Sequence, residues 1–131
     1  MNYLLDTKVF LWMQAHPYKL GANTLTILRD DQHQLHLSAA STWEIALKFR
    51  AGQLTLPHPP DEYIPDRMLA SGVTSLAIEP SHTLAVASID GRDRDLIDRL
   101  LIGQAMVEDM TLITADPKLA CSSVTTIDAA K

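Results

Sequence analysis

Met1-Asn2-Tyr3-Leu4-Leu5-Asp6-Thr7-Lys8-Val9-Phe10-Leu11-Trp12 begins with an apolar run too short for a helix, bounded by polar residues and ending on a carboxylate. Such a run reads as a buried strand with Asp6 at its carboxyl end, the edge where open parallel α/β sheets place their chemistry. Asp is also a favoured N-cap, here for a helix over Thr7 to Met13, and Asn caps about as well. On the capping reading alone, Asp6→Asn is silent. The question is whether other acids converge on Asp6.

Outward from this stretch, strand and helix alternate. His16-Pro17 marks a break, Ala22 to Asp30 is a short amphipathic helix, and Leu35 to Ser38 is a second strand. A helix follows over Ser41 to Phe49 and stops near Gly52, with Ser41-Thr42-Trp43-Glu44 matching the capping box S-x-x-E. Pro60 starts a helix that Gly72 ends at Ser71, Val73 to Ile78 is a third strand, and Pro80 opens a short helix through Ile89. Asp90 to Arg94 reads as a charged turn. The widest apolar face belongs to a helix from Asp95 to about Asp109. Thr111 to Thr114 is a fourth strand, Asp116-Pro117 begins a helical turn, and Val124 to Ile127 is a fifth strand. The expected fold is α/β, a parallel sheet of about five strands with flanking helices.

A chain of 131 residues with 47% hydrophobic content fits one domain spanning 1–131, with a core in more than one layer. The single cysteine, Cys121, excludes an internal disulfide framework and a multi-thiolate zinc site, and fits a reducing compartment. No apolar run approaches the roughly 20 residues of a membrane span, and the start lacks a basic-then-apolar leader, so a soluble, cytoplasmic protein with no membrane partner is expected. A formal charge of −5 argues against holding nucleic acid mainly by a basic surface. It leaves nucleic-acid chemistry open, because part of that acidity would be cancelled by a bound cation.

Four acids recur at equivalent places: Asp6 after the first strand, Glu44 in the first turn after the second, Asp98 in the first turn of the long helix, and Asp116 just after the fourth strand. Each alone is a plausible helix cap or dipole partner. Together they open on one edge of a parallel sheet, where carboxylates repel unless a positive charge sits among them. Oxygen donors of this kind suit Mg²⁺ or Mn²⁺. Zinc fits poorly, since the five histidines show no ligand spacing, and each is given a surface or packing role. Asp95 lies one turn before Asp98, as an exposed first-turn acid or an outer ligand. Thr7 and Thr114 flank the acids, as turn residues or as groups that orient a ligand. Arg99 is either solvated or near phosphate.

The segments LLDTKVFLW (Leu4–Trp12), LSAASTWEIALK (Leu37–Lys48), RDLIDRLLIGQAMVED (Arg94–Asp109) and LITADPKLA (Leu112–Ala120) resemble, in order and spacing, the motifs of VapC-type PIN-domain ribonuclease toxins. The resemblance covers nearly the whole chain. It implies a PIN-like three-layer fold, and it carries the family's metal-binding and catalytic acids onto Asp6, Glu44, Asp98 and Asp116. It further implies Mg²⁺ or Mn²⁺ as cofactor, RNA as substrate, a homodimer, and a cognate antitoxin whose tail covers the active groove. Relatives often carry histidine where this chain has Lys8, and His-Arg-Asp-Pro where it has Asp93-Arg94-Asp95-Leu96. Lying two residues beyond Asp6, Lys8 is expected to approach substrate phosphate as a mobile charge rather than to bind metal. Two other classes fit the same acids: a PIN-like module that binds metal or RNA without cutting, and another metal-dependent phosphohydrolase or DNA nuclease.

Overall fold

The computed structural model describes residues 1–89, 95–119 and 124–131. The charged turn over Asp90 to Arg94 and the lone Cys121 lie outside the described residues.

Five strands form one parallel sheet: β1 (Asn2–Leu5), β2 (Gln34–Ser38), β3 (Val73–Leu76), β4 (Thr111–Thr114) and β5 (Thr126–Asp128). Their order is β3-β2-β1-β4-β5. The chain builds outward from β1 to β3, then crosses back to lay β4 on the other side of β1. The strand order therefore reverses at the β1/β4 boundary, the place where a crevice opens beyond the carboxyl ends of a parallel sheet. The register aligns Leu5 with Leu37 and with Ile113, so β1, β2 and β4 end side by side.

Alternation along each strand separates two apolar faces. Tyr3, Leu5, Leu35, Leu37, Val73 and Ile113 pack with residues of α1 (Thr7–Ala15), α3 (Ala39–Arg50) and α4 (Pro60–Ser71), including Phe10, Ile45 and Ile64. Leu4 and Leu112 face the other way, onto Leu101, Ile102 and Ala105 of α6 (Leu96–Glu108). The result is a three-layer α/β fold. Among the described residues the remaining helices are α2 (Ala22–Arg29) and α5 (Pro80–Ala85), with single 3₁₀ turns at Pro17–Lys19, Val86–Ser88 and Pro117–Leu119.

Several boundaries move, for local reasons. The second strand begins at Gln34, the third stops at Leu76, and the fifth is Thr126–Asp128 rather than Val124 to Ile127, because its ladder to β4 pairs Thr126 with Leu112. The capping box at Ser41 does not form. Ser38 is the N-cap of α3, its Oγ accepting from Ala40 N at 3.0 Å. Ser41 is instead buried inside the helix, and Glu44 sits in its second turn rather than its first. Gly72 ends α4 in the left-handed conformation at φ +69°, as expected of a glycine C-cap. His82 is buried; its Nδ1 accepts from Glu79 N at 2.9 Å, so Nε2 carries the proton and donates to Glu108 Oε2 at 2.9 Å. No helix among the described residues is long and apolar enough to cross a membrane.

Candidate active site

Asp6 is both cap and wall. Its Oδ1 accepts from Val9 N at 2.8 Å, capping α1, while its Oδ2 accepts from Thr114 Oγ1 at 2.6 Å and Ala115 N at 2.9 Å. The carboxylate is buried and tied to the ends of both β1 and β4. Burial pushes its pKa up; the bonds from Thr114, Val9 and Ala115 and the nearby Lys8 ammonium hold it back. With three donors on two oxygens, one lone pair remains for a ligand.

The other acids approach from three further elements. Asp98 stands in the first turn of α6, Glu44 on α3, and Asp116 at the start of the 3₁₀ turn after β4, where its Oδ1 accepts from Lys118 N at 2.9 Å. All four line one pocket of about 330 Å³, together with Thr7, Lys8, Lys48 and Asp95. The electrostatics register this convergence. Burial first, then the charges of Asp95, Glu44, Asp6 and Asp116, push the Asp98 carboxyl up to about 7. Four carboxylates acting on a fifth are a concentration of negative charge that favours a cation.

Asp95 is the N-cap of α6 rather than a first-turn acid, its Oδ1 accepting from Asp98 N at 2.8 Å. Thr7 Oγ1 donates to Ser41 Oγ at 2.9 Å and joins α1 to α3 one turn before Glu44. Thr114 acts through Asp6. Arg99 is not among the pocket-lining residues, and its Nε is buried without a hydrogen-bond partner among the described residues. Sequence reasoning missed Lys48, whose Nζ pairs with Glu44 Oε2 at 3.2 Å. Its signal was present, a lysine four residues after a glutamate on one helix.

An all-oxygen donor set fits a hard divalent cation, with Asp6, Glu44, Asp98 and Asp116 as the groups that would hold it. In this conformation the four carboxylates line the pocket without meeting at one point: among the described residues, no group of three or more His, Cys, Asp or Glu stands close enough to hold an ion. Glu44 is paired with Lys48, and Asp116 accepts from the Lys118 amide.

A parallel sheet with acids gathered at its switch point defines a class of α/β protein with a cation-attracting crevice. The PIN domain family model matches residues 3–121, and the chain belongs to that family. Ribonuclease VapC16 of Mycobacterium tuberculosis is 43% identical over 60 residues, a match covering 46% of this chain and 43% of that protein's length. Among solved structures, VapBC2 from Rickettsia felis, bound to a DNA fragment from its promoter, superposes with TM-score 0.72 at 16% identity, covering 97% of this chain and 98% of that one. VapBC-1 from nontypeable Haemophilus influenzae superposes with TM-score 0.69 at 20% identity over 100% of both chains. A toxin–antitoxin complex from Klebsiella pneumoniae gives 0.63 at 16% identity, covering 95% and 96%. These three share the fold.

Proposed function

We propose that this protein is a divalent-metal-dependent endoribonuclease, the toxin of a toxin–antitoxin pair. The observation that carries the reading is the convergence of Asp6, Glu44, Asp98 and Asp116 on one pocket at the sheet's switch point. The partial identity to a ribonuclease and the fold shared with toxin–antitoxin complexes support it.

Each residue has a distinct task in this reading. Asp6, tied by its three donors to the ends of β1 and β4, forms the fixed wall of the site. Thr114 holds Asp6, and the Thr7–Ser41 bond holds α3, with Glu44, against α1. Asp98 and Asp116 close the donor set from the α6 and β4 sides. Lys8, which lines the pocket, would meet an entering phosphate. When bound, Mg²⁺ or Mn²⁺ supplies polarisation of a phosphoryl oxygen and acidification of water. The antitoxin expected as partner would place a basic side chain in the acid pocket, and a homodimer belongs to the same proposal.

The test is cleavage of single-stranded RNA, with DNA of the same sequence alongside, in Mg²⁺, in Mn²⁺ and after thorough chelation. Cutting of RNA that requires the metal is the expected result. Persistence of full activity in chelator would overturn the mechanism, and cutting of DNA alone would overturn the substrate.

A further inference from the structure

The acid pocket has cations on its walls. Lys8 of α1 and Lys48 of α3 both line it. Their resting places differ. Lys8 Nζ stands 6.0 Å from the centroid of Trp12, over which Lys19 Nζ also sits at 5.5 Å. Lys48 Nζ is held by Glu44 Oε2 at 3.2 Å, and the pair is asymmetric: the Glu44 side chain is 17% exposed and that of Lys48 52%. The carboxylate is thus seated in the wall, while the ammonium reaches solvent on a flexible stem and is able to change partner.

We propose that Lys48 is an exchangeable counter-ion of the pocket, neutralising Glu44 in the metal-free protein and turning to an RNA phosphate once Glu44 ligates a divalent cation. The inference rests on the nuclease reading. A half-exposed ion pair is weakly held, so Lys48 leaves it at small cost. An ammonium beside a newly arrived divalent ion is repelled from it, and an RNA backbone entering the pocket brings the negative charge that it then lacks. Lys48 therefore opposes metal binding and favours RNA binding in the metal-loaded state. One side chain acts with opposite signs on the two ligands.

The experiment compares wild type, Lys48→Met and Lys48→Arg. Mn²⁺ affinity is read from the metal-dependent shift in thermal melts. Binding of a short single-stranded RNA is read by fluorescence anisotropy, in chelator and in Ca²⁺, across a KCl series, with electrophoresis to verify that the RNA stays intact. Lys48→Met is expected to bind Mn²⁺ severalfold more tightly. In Ca²⁺ it should bind RNA about tenfold more weakly, the equivalent of one charge-assisted hydrogen bond. The magnitude of its log–log salt slope should shrink by about 0.7, one phosphate contact to a single strand. In chelator, Lys48→Met and wild type should bind RNA alike, and Lys48→Arg should retain the wild-type slope. Unchanged Mn²⁺ affinity in Lys48→Met would overturn the counter-ion role. An equal loss of RNA affinity in chelator and in Ca²⁺ would overturn the exchange. Wild-type protein that binds no RNA in Ca²⁺ would overturn the phosphate contact together with the nuclease reading, while the Mn²⁺ melts still decide whether Lys48 competes for Glu44.

Discussion

Asp6 shows how one side chain comes to carry more than a cap. An asparagine would satisfy Val9 N through its carbonyl oxygen, but its amide nitrogen would then face Ala115 N, donor against donor, and lose the bond from Thr114. Capping alone would leave Asp6→Asn silent; the bonds from Thr114 and Ala115 give the substitution a cost. Metal-free Asp6→Asn should be less stable by about 1–3 kcal/mol, the cost of a buried donor left unpaired, partly offset by relief of repulsion in the cluster. Thermal melts in chelator check this, and the Mg²⁺-dependent gain in melting temperature should shrink in the same variant. Asp98 yields a pH prediction. Its folded pKa of about 7 lies above the ordinary value of 3.8, so between these pH values the folded state holds a proton that the unfolded state has lost. Stability from this group is complete below pH 3.8 and is lost as pH rises through about 7. The raised pKa of Asp6 adds in the same direction. In metal-free buffer, melting temperature should fall over that window, and Asp98→Asn should flatten the profile. A profile unchanged by Asp98→Asn would mean that Asp98 is not the group responsible.

At the level of elements, α6 is placed by a close approach to α5. A Cβ added at Gly103 would lie 2.9 Å from His82 O and 3.2 Å from Val86 Cγ2. Helix propensity alone favours alanine over glycine by about 1 kcal/mol. Overpacking against a backbone carbonyl acts the other way, and Gly103→Ala is expected to destabilise by about 1–3 kcal/mol. Denaturant unfolding gives the sign directly: a stabilised variant would mean that α5 yields easily. The helix also carries Asp98 in its first turn and Asp95 as its cap, so a shift of α6 would move both acids at the pocket. Helix α3 offers a second case of context overriding a local motif. Ser41-Thr42-Trp43-Glu44 has the composition of a capping box, but Ser38 leaves the strand first and takes the cap. That choice buries Ser41 against Thr7, and one turn later Glu44 enters the pocket with Lys48 behind it.

For the whole molecule, local pattern alone sets the alternation of short apolar strands with helices, hence a layered parallel sheet, and places Asp6, Asp98 and Asp116 at the starts of helical segments. These are local properties: period, run length and turn chemistry act over a few residues and need no distant partner. The strand order β3-β2-β1-β4-β5 was decided only by the tertiary structure, because parallel neighbours are joined through long crossovers that leave no mark on the strands they bring together. With that order came the junction of β1 and β4, the bonds from Thr114 and Ala115 to Asp6 across more than a hundred residues of chain, and the exclusion of Arg99 from the pocket lining. The pairing of Lys48 with Glu44 lay in between, legible as a helical spacing but significant only once the fold turned that face of α3 toward four other carboxylates. Charges act through space, so the chemistry of the acids became a property of the site only when the sheet brought its strand ends side by side.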